Sequence, residues 1–252
     1  MGRGIAMAYR QAIHFLLPPA CFGCGDPLSP GESQVCAGCR TRLRTPSFPQ
    51  CPRCRAPQGT GVSSARPCPE CREWSEALED ARSAYVLVPP ADRLVHALKY
   101  GGWPEIAGFM ADRMDPLLDP GERTGSWVIV PVPTAPSRER ARGYNQAALL
   151  ARSLAERTGL KLANILERRE GGGTQVALHR HERRANVQGA FRSADGARNR
   201  LMGRSVLLVD DVLTTGSTGQ AAAEALVEEA GAKRVRLITF ARSLPQEGEE
   251  GR

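Results

Sequence analysis

After Cys71 the chain contains no cysteine at all, so the remaining 181 residues must fold without disulfides or thiolate-bound metal. Aromatic residues make up only 5% of the chain, which leaves little material for a base-stacking platform. No run of 18 or more apolar residues occurs, which excludes an ordinary membrane-spanning helix. Neither GxxxxGK[ST] nor GxGxxG is present, so a P-loop nucleotide site and a dinucleotide-binding fold both lack support. The stretch GIAMAYRQAIHFLLPPAC also lacks what a secretory leader needs. Arg10, Gln11 and His14 interrupt its apolar centre, and Pro18 and Pro19 stand where small residues are wanted before Cys21. It reads as a short amphipathic helix ended by two prolines, and the expected location is the cytoplasm, where thiols stay reduced.

What is present divides the 252 residues into unlike parts. All eight cysteines form four CxxC pairs, Cys21/Cys24, Cys36/Cys39, Cys51/Cys54 and Cys68/Cys71, with gaps of eleven, eleven and thirteen residues between pairs. Two intervening residues let both sulfurs reach one tetrahedral metal at about 2.3 Å, and two such knuckles close a four-sulfur shell. Eight ligands make two closed zinc sites, structural because no position is left for water. Such a zinc contributes on the order of 10 to 16 kcal/mol of apparent binding energy to the folded form alone. A disulfide framework would need an oxidising compartment, and a redox CxxC would come once, near a βαβ pattern. The nearly equal gaps allow interleaved as well as sequential pairing. Sequential pairing is the reading adopted.

From about residue 80 short β-branched runs alternate with helical ones, the pattern of an α/β domain with a mainly parallel sheet. The expected strands are 83–88, 127–132, a weak one near 160–166, 189–191, 205–210 and 234–240. Helical stretches are RLVHALKY with its continuation WPEIAGFMADRM, NQAALLARSLAERTG and TGQAAAEALVEEAG. These readings give an N-terminal helix and cysteine-rich unit over 1–79, an α/β domain over 80–243 and a disordered tail over 244–252. The formal charge of +7 suits an anionic ligand. Residues 134–204 are the most basic part, with 15 Arg or Lys against 6 Asp or Glu. At their centre RREGGGTQVALHRHERRANVQG reads as a long mobile loop.

The sharpest signal is VLLVDDVLTTGST, residues 206–218. SVLLVD reads as a buried central strand, and a helix follows within a few residues. In open α/β sheets ligands collect at the carboxyl ends of strands, and the first turn of a helix offers unpaired N–H groups and partial positive charge to a phosphate. Thr214, Thr215, Ser217 and Thr218 add hydroxyls, and Gly216 lets the backbone come close. Asp210 and Asp211 would repel a phosphate. As acceptors they suit the two hydroxyls of a ribose, directly or through a divalent cation. Ribose 5-phosphate satisfies both halves. Simple helix capping would occupy one of these residues and leave the others idle.

This stretch resembles the binding motif for phosphoribosyl pyrophosphate in type I phosphoribosyltransferases. VPVPTAPSRERARGYNQAALLA, HERRANVQGAF, LVHALKYGG and a CxxC-bearing head after LLPPAC are similar to the ComF family of competence-associated proteins, from about Phe15 to Phe240. The resemblance implies a type I phosphoribosyltransferase-like parallel sheet flanked by helices, behind a small double zinc ribbon. It implies Asp210 and Asp211 on the ribose hydroxyls, Thr214 to Thr218 around the 5-phosphate, and the turn from Pro131 to Thr134, with Val132 and Pro133, around pyrophosphate. A cis peptide is common in that turn, and Val132-Pro133 is one candidate. Arg142, with Gly143, Tyr144 and Asn145 opening the next helix, would serve the same leaving group. Arg184, with Gln175, Arg180 and Arg183, would close over the site.

The implied reaction displaces pyrophosphate from the anomeric carbon, with magnesium and arginines stabilising the leaving group. The acceptor is unidentified. His179 and His181 are read as solvated loop residues and His96 as packing on or beside the core. Family membership further implies DNA uptake and natural transformation beside a helicase-like partner. A catalytically silent protein that holds single-stranded DNA is the alternative, with Trp74, Trp103 and Tyr144 as candidate stacking residues.

Overall fold

A computed structural model describes residues 19–59, 66–169 and 189–244. The N-terminal amphipathic stretch, the loop residues Gln175, His179, Arg180, His181, Arg183 and Arg184, and the tail after Pro245 lie outside the described residues.

The expected parallel sheet is present. Five strands, β1 (Leu78–Val86), β2 (Trp127–Pro131), β3 (Lys161–Leu162), β6 (Ser205–Leu213) and β7 (Arg234–Arg242), lie in the order β1-β7-β6-β2-β3, and every pair is parallel. Central parallel strands are covered on both faces and therefore read as apolar runs. In β6, Val206 and Leu208 face one hydrophobic cluster and Leu207 and Val209 the other. The first cluster takes in Ala222 and Leu226 of the helix Ser217–Glu228. The second takes in Leu94 and Leu98 of Ala91–Tyr100, Met110 of Ile106–Met114, and Leu150 and Leu154 of Gln146–Thr158.

Several elements differ from the expectation. β6 runs on to Leu213, so the two aspartates belong to the strand and pair onward beside β7. Residues 160–166 do not form one strand: β3 edges the sheet, while β4 (Leu166–Arg168) pairs antiparallel with β5 (Phe191–Ser193) in a separate two-stranded sheet. The helical stretch after β1 is broken at Gly101 and Gly102, the latter at φ +68°. A short helix Pro136–Arg142 stands before Asn145. Proline at its start and Gly143 at φ +85° at its end delimit it. Arg142 thus closes that helix, and Asn145 opens the next by accepting from the Ala147 N–H at 3.0 Å.

The cysteine-rich segment packs directly on the sheet. Cys21, Cys39, Leu28 and Val35 belong to the cluster containing Leu94 and Leu98, and Cys51, Cys54, Cys71 and Trp74 to the cluster on the opposite face. Arg242, at 1% exposure, donates to the Cys54 carbonyl at 2.6 Å and pairs with Glu70 at 3.3 Å. At the other end of the sheet Arg82 and Arg236 meet Asp80, Asp119 and the buried Glu122.

Candidate functional site

A cleft of about 500 Å³ opens at the carboxyl end of the sheet. One wall is the end of β6 with the turn that follows it, the second is the turn after β2, and the third is the helix Ala91–Tyr100. Asp210, Asp211, Thr214, Thr218, Val132 and Pro133 all line it, so residues far apart in the chain converge as the strand-end argument requires.

The aspartates sit in unlike surroundings. Asp210 Oδ1 accepts from the Asp211 N–H at 2.8 Å. Burial, and then the charge of Asp211, push the Asp210 carboxyl well above the ordinary carboxylate range, and Lys99 offsets part of this. Asp211 has a buried side chain whose Oδ2 lies 3.0 Å from Lys99 Nζ and accepts no hydrogen bond among the described residues. A buried carboxylate oxygen with an open acceptor position fits a divalent cation or a ligand hydroxyl.

The turn after β6 is only partly directed at the cleft. Thr214 and Thr218 line it, while the Thr215 and Ser217 hydroxyls bond to each other at 2.8 Å. Gly216 is the N-cap of the helix Ser217–Glu228 at φ +81° and supplies no capping side chain; the Ser217 N–H donates weakly to Thr215 Oγ1 at 3.4 Å, and the next N–H groups of the first turn are the ones suited to an anion.

Sequence reasoning missed part of the cationic lining. Arg138 and Arg168 face the cleft with Lys99. Burial first, and then the neighbouring Arg138, push the Arg168 guanidinium below its ordinary range, a cost that an anion between the two cations would relieve. The cluster of Arg138, Arg140 and Arg142 just beyond the turn after WVIVPV was a signal that could have been used. Lys99 and Arg168 carry none in isolation. Arg142 stands behind the lining, bonded to Gln146 and 5.3 Å over the Tyr100 ring, with both partners facing the cleft. Val132-Pro133 is trans, since the cis bonds among the described residues are Phe48-Pro49 and Pro89-Pro90.

Two aromatic and histidine assignments change. His96 is an exposed residue of the cleft wall, 5.1 Å from Tyr100, because it falls on the outward face of its helix. Trp74 is 4% exposed under the turn that follows β6 and cannot stack a base. Tyr144 donates to the Leu98 carbonyl at 2.7 Å, and Trp103 alone of the three candidates is exposed, at 51%.

The cysteines assemble sequentially. Cys21, Cys24, Cys36 and Cys39 form one group and Cys51, Cys54, Cys68 and Cys71 the other, with all sulfurs of a group within 4.8 Å of one another. Sulfurs of a tetrahedral zinc site stand about 3.8 Å apart by the 2.3 Å bond length. Cys24 to Cys36 at 3.8 Å, Cys54 to Cys68 at 3.5 Å and Cys68 to Cys71 at 3.7 Å agree. Backbone N–H groups of Gly23 and Cys36 aim at Cys21 Sγ, and that of Cys68 at Cys51 Sγ. At Cys21 burial raises the thiol pKa, but the donors from Cys36, Cys24 and Gly23 outweigh it and bring the value to about 7. Cys21 is thereby suited to bind metal as a thiolate, while burial pushes the Cys39 thiol of the same group up.

Comparison with known proteins agrees with this geometry. Residues 141–250 match the family described as phosphoribosyl transferase domain, and residues 12–72 the double zinc ribbon domain. The chain is 30% identical over 233 residues to the DNA utilization protein YhgH of Escherichia coli O157:H7, covering 90% of this chain and 99% of that one. Competence protein F of Haemophilus influenzae is 29% identical over 88% of this chain and 96% of its own length. Competence protein ComFC of Bacillus subtilis is 28% identical over 86% and 87%. Glutamine phosphoribosylpyrophosphate amidotransferase from B. subtilis superposes at a TM-score of 0.35 with 22% identity, over 52% of this chain and 26% of that one, a likeness too loose to argue from.

Proposed function

Because the chain belongs to the ComF family of competence-associated proteins, we propose that its cleft binds phosphoribosyl pyrophosphate with magnesium and transfers the phosphoribosyl group to an acceptor nucleophile in the handling of incoming DNA. The observation that carries the reading is the convergence of an acidic pair and a helix N-terminus on one cleft. The diol of the sugar meets Asp210 and Asp211, and its 5-phosphate meets Thr214, Thr218 and the N–H groups of the first turn after Gly216.

The pyrophosphate then lies toward Val132, Pro133, Arg138 and Arg168, where fixed cations stabilise charge as the anomeric C–O bond breaks. Asp210 and Asp211 would hold magnesium, which supplies charge neutralisation on the leaving group. Arg142 acts through Tyr100 and Gln146, which it holds in the wall. Arg184 and its loop neighbours remain the proposed cover. The four CxxC pairs are proposed to hold two structural zinc ions in the sequential groups described above. Among the described residues no helix is long and apolar enough to cross a membrane. The helicase-like partner rests on family membership alone.

Calorimetric titration with phosphoribosyl pyrophosphate and magnesium tests the reading. Saturable binding is expected, lost in Asp210→Asn/Asp211→Asn. Absence of binding to the wild type would instead favour a silent single-stranded DNA module. That second reading draws on the exposed Phe48, at 83%, within the acid-free run RTRLRTPSFPQCPRCR. Its mark is affinity for oligonucleotides that falls steeply with salt.

A further inference from the structure

The second cysteine group reaches the phosphate side of the cleft through one side chain. Three residues beyond Cys71, Trp74 lies flat beneath the turn that joins β6 to its helix. Its indole Nε1–H donates to the Thr215 carbonyl at 3.2 Å. Gly216 leaves no room above the ring: a Cβ there would stand 2.4 Å from Trp74 Cζ2 and 2.6 Å from Cε2. Next in the chain, the Ser75 N–H donates to Gln220 Oε1 at 3.3 Å, within the first turns of the same helix.

The indole is itself held from behind. Arg53, between Cys51 and Cys54, places its guanidinium 5.8 Å from the Trp74 ring centroid. It donates to the carbonyls of Cys71 at 3.0 Å, Trp74 at 3.2 Å, Ser75 at 2.7 Å and Leu78 at 2.7 Å. Closing the second cysteine group therefore fixes Arg53, Arg53 fixes the segment carrying Trp74, and Trp74 fixes the carbonyl of Thr215 and the height of Gly216. A turn whose backbone must present N–H groups to a phosphate is sensitive to shifts well under an ångström.

We infer that Trp74 is a positioning residue for the phosphate-binding turn, so that the cleft grips a 5-phosphate only when the second cysteine group is closed beneath it. The inference rests on the phosphoribosyl reading. It concerns the phosphate end of the ligand alone, since the indole bonds to Thr215 and packs under Gly216 of that turn.

The test uses the full-length, zinc-loaded protein and two probes titrated separately, ribose 5-phosphate and magnesium pyrophosphate. Trp74→Leu removes the platform, and Trp74→Phe keeps a ring but loses the donor to Thr215. In Trp74→Leu, ribose 5-phosphate affinity is expected to fall about tenfold or more while magnesium pyrophosphate affinity stays within about twofold. Trp74→Phe is expected to lie between wild type and Trp74→Leu, and to lose the change in tryptophan emission that ribose 5-phosphate produces in the wild type. Equal loss of both probes, with lowered zinc content, would mean a general folding role and would overturn the inference. Unchanged ribose 5-phosphate affinity in both variants would also overturn it, leaving the phosphoribosyl reading in place. A wild-type protein that binds neither probe would remove both.

Discussion

On the phosphoribosyl reading, the raised Asp210 carboxyl makes ligand affinity rise with pH. Burial and the Asp211 charge hold the carboxyl well above its ordinary range. A ribose hydroxyl donates to a carboxylate and a divalent cation needs an ionised one, so the ligand binds the deprotonated form. Binding below that raised value therefore releases a proton, and affinity gains up to about tenfold per pH unit, or about 1.4 kcal/mol, until the value is passed. The ligand's own phosphate, with a pKa of about 6, pushes in the same direction. Lys99 separates the two effects. Its Nζ is 3.0 Å from Asp211 Oδ2 and it lowers the Asp210 value, so Lys99→Met should move the protein's part of the profile to higher pH and leave the ligand's part in place. The assay is calorimetric titration over a pH series starting in the ordinary carboxylate range, in buffers of different protonation heat, which counts the protons released. Superimposable profiles for wild type and Lys99→Met, or no proton release above the ligand's own titration, would refute the reasoning.

The same carboxyl predicts a trade of stability for function. Because its folded value is raised, folding takes up a proton between the unfolded value and the folded one, and stability falls as pH rises through that window. Asp210→Asn should thus unfold at a higher temperature than wild type at neutral pH while losing magnesium phosphoribosyl pyrophosphate binding, and a lower midpoint would contradict the assignment. Gly159→Ala and Gly216→Ala both place a side chain at positive φ, which costs about 1 to 2 kcal/mol. Gly159 has nothing within 4 Å, whereas Gly216 faces the Trp74 ring, so Gly216→Ala should lose about 1 to 3 kcal/mol more in urea unfolding, and equal losses would displace the ring from its assigned place. Glu122→Ala removes a carboxylate shared by the buried Arg82 and the partly buried Arg236, each of which keeps Asp80 and Asp119, and should cost about 1 to 3 kcal/mol, with a loss under about 1 kcal/mol counting against a structural role for that ion cluster.

Much of this architecture was readable before any coordinates because its signals are local. Parallel strands buried on both faces are apolar runs whatever else surrounds them, and a CxxC knuckle announces itself within four residues. The acidic pair misled on one point. It interrupts the apolar run and so looked like the end of the strand, yet the ladder continues through Val212 beside Ala241 and Leu213 beside Arg242, because backbone pairing does not depend on side-chain polarity. Lys99 and Arg168 escaped notice, and Trp74 was assigned the wrong role, for the opposite reason. Each acts across a long stretch of chain, 141 residues in the case of Trp74 and Thr215, and no period or spacing marks such a contact. His96 was misjudged because RLVHALKY carries its apolar residues around it without fixing which face the fourth position takes.

The placement of the two cysteine groups on opposite faces of one sheet bears on why a cysteine-rich head accompanies this cleft. The first group packs against the helix that carries Lys99, with Arg93 donating to the Gly23 carbonyl at 3.2 Å and Gln34 to the Glu105 carbonyl at 2.8 Å. The second lies under the phosphate-side turn and meets the buried Arg242, whose guanidinium would be an uncompensated buried charge without the Cys54 carbonyl and Glu70. An arginine at the end of a central strand is thus tolerated only because the head folds over it. Two of the three walls of the cleft, the β6 turn and the helix Ala91–Tyr100, thus rest on separate cysteine groups, so loss of metal from either group should loosen a different part of the site.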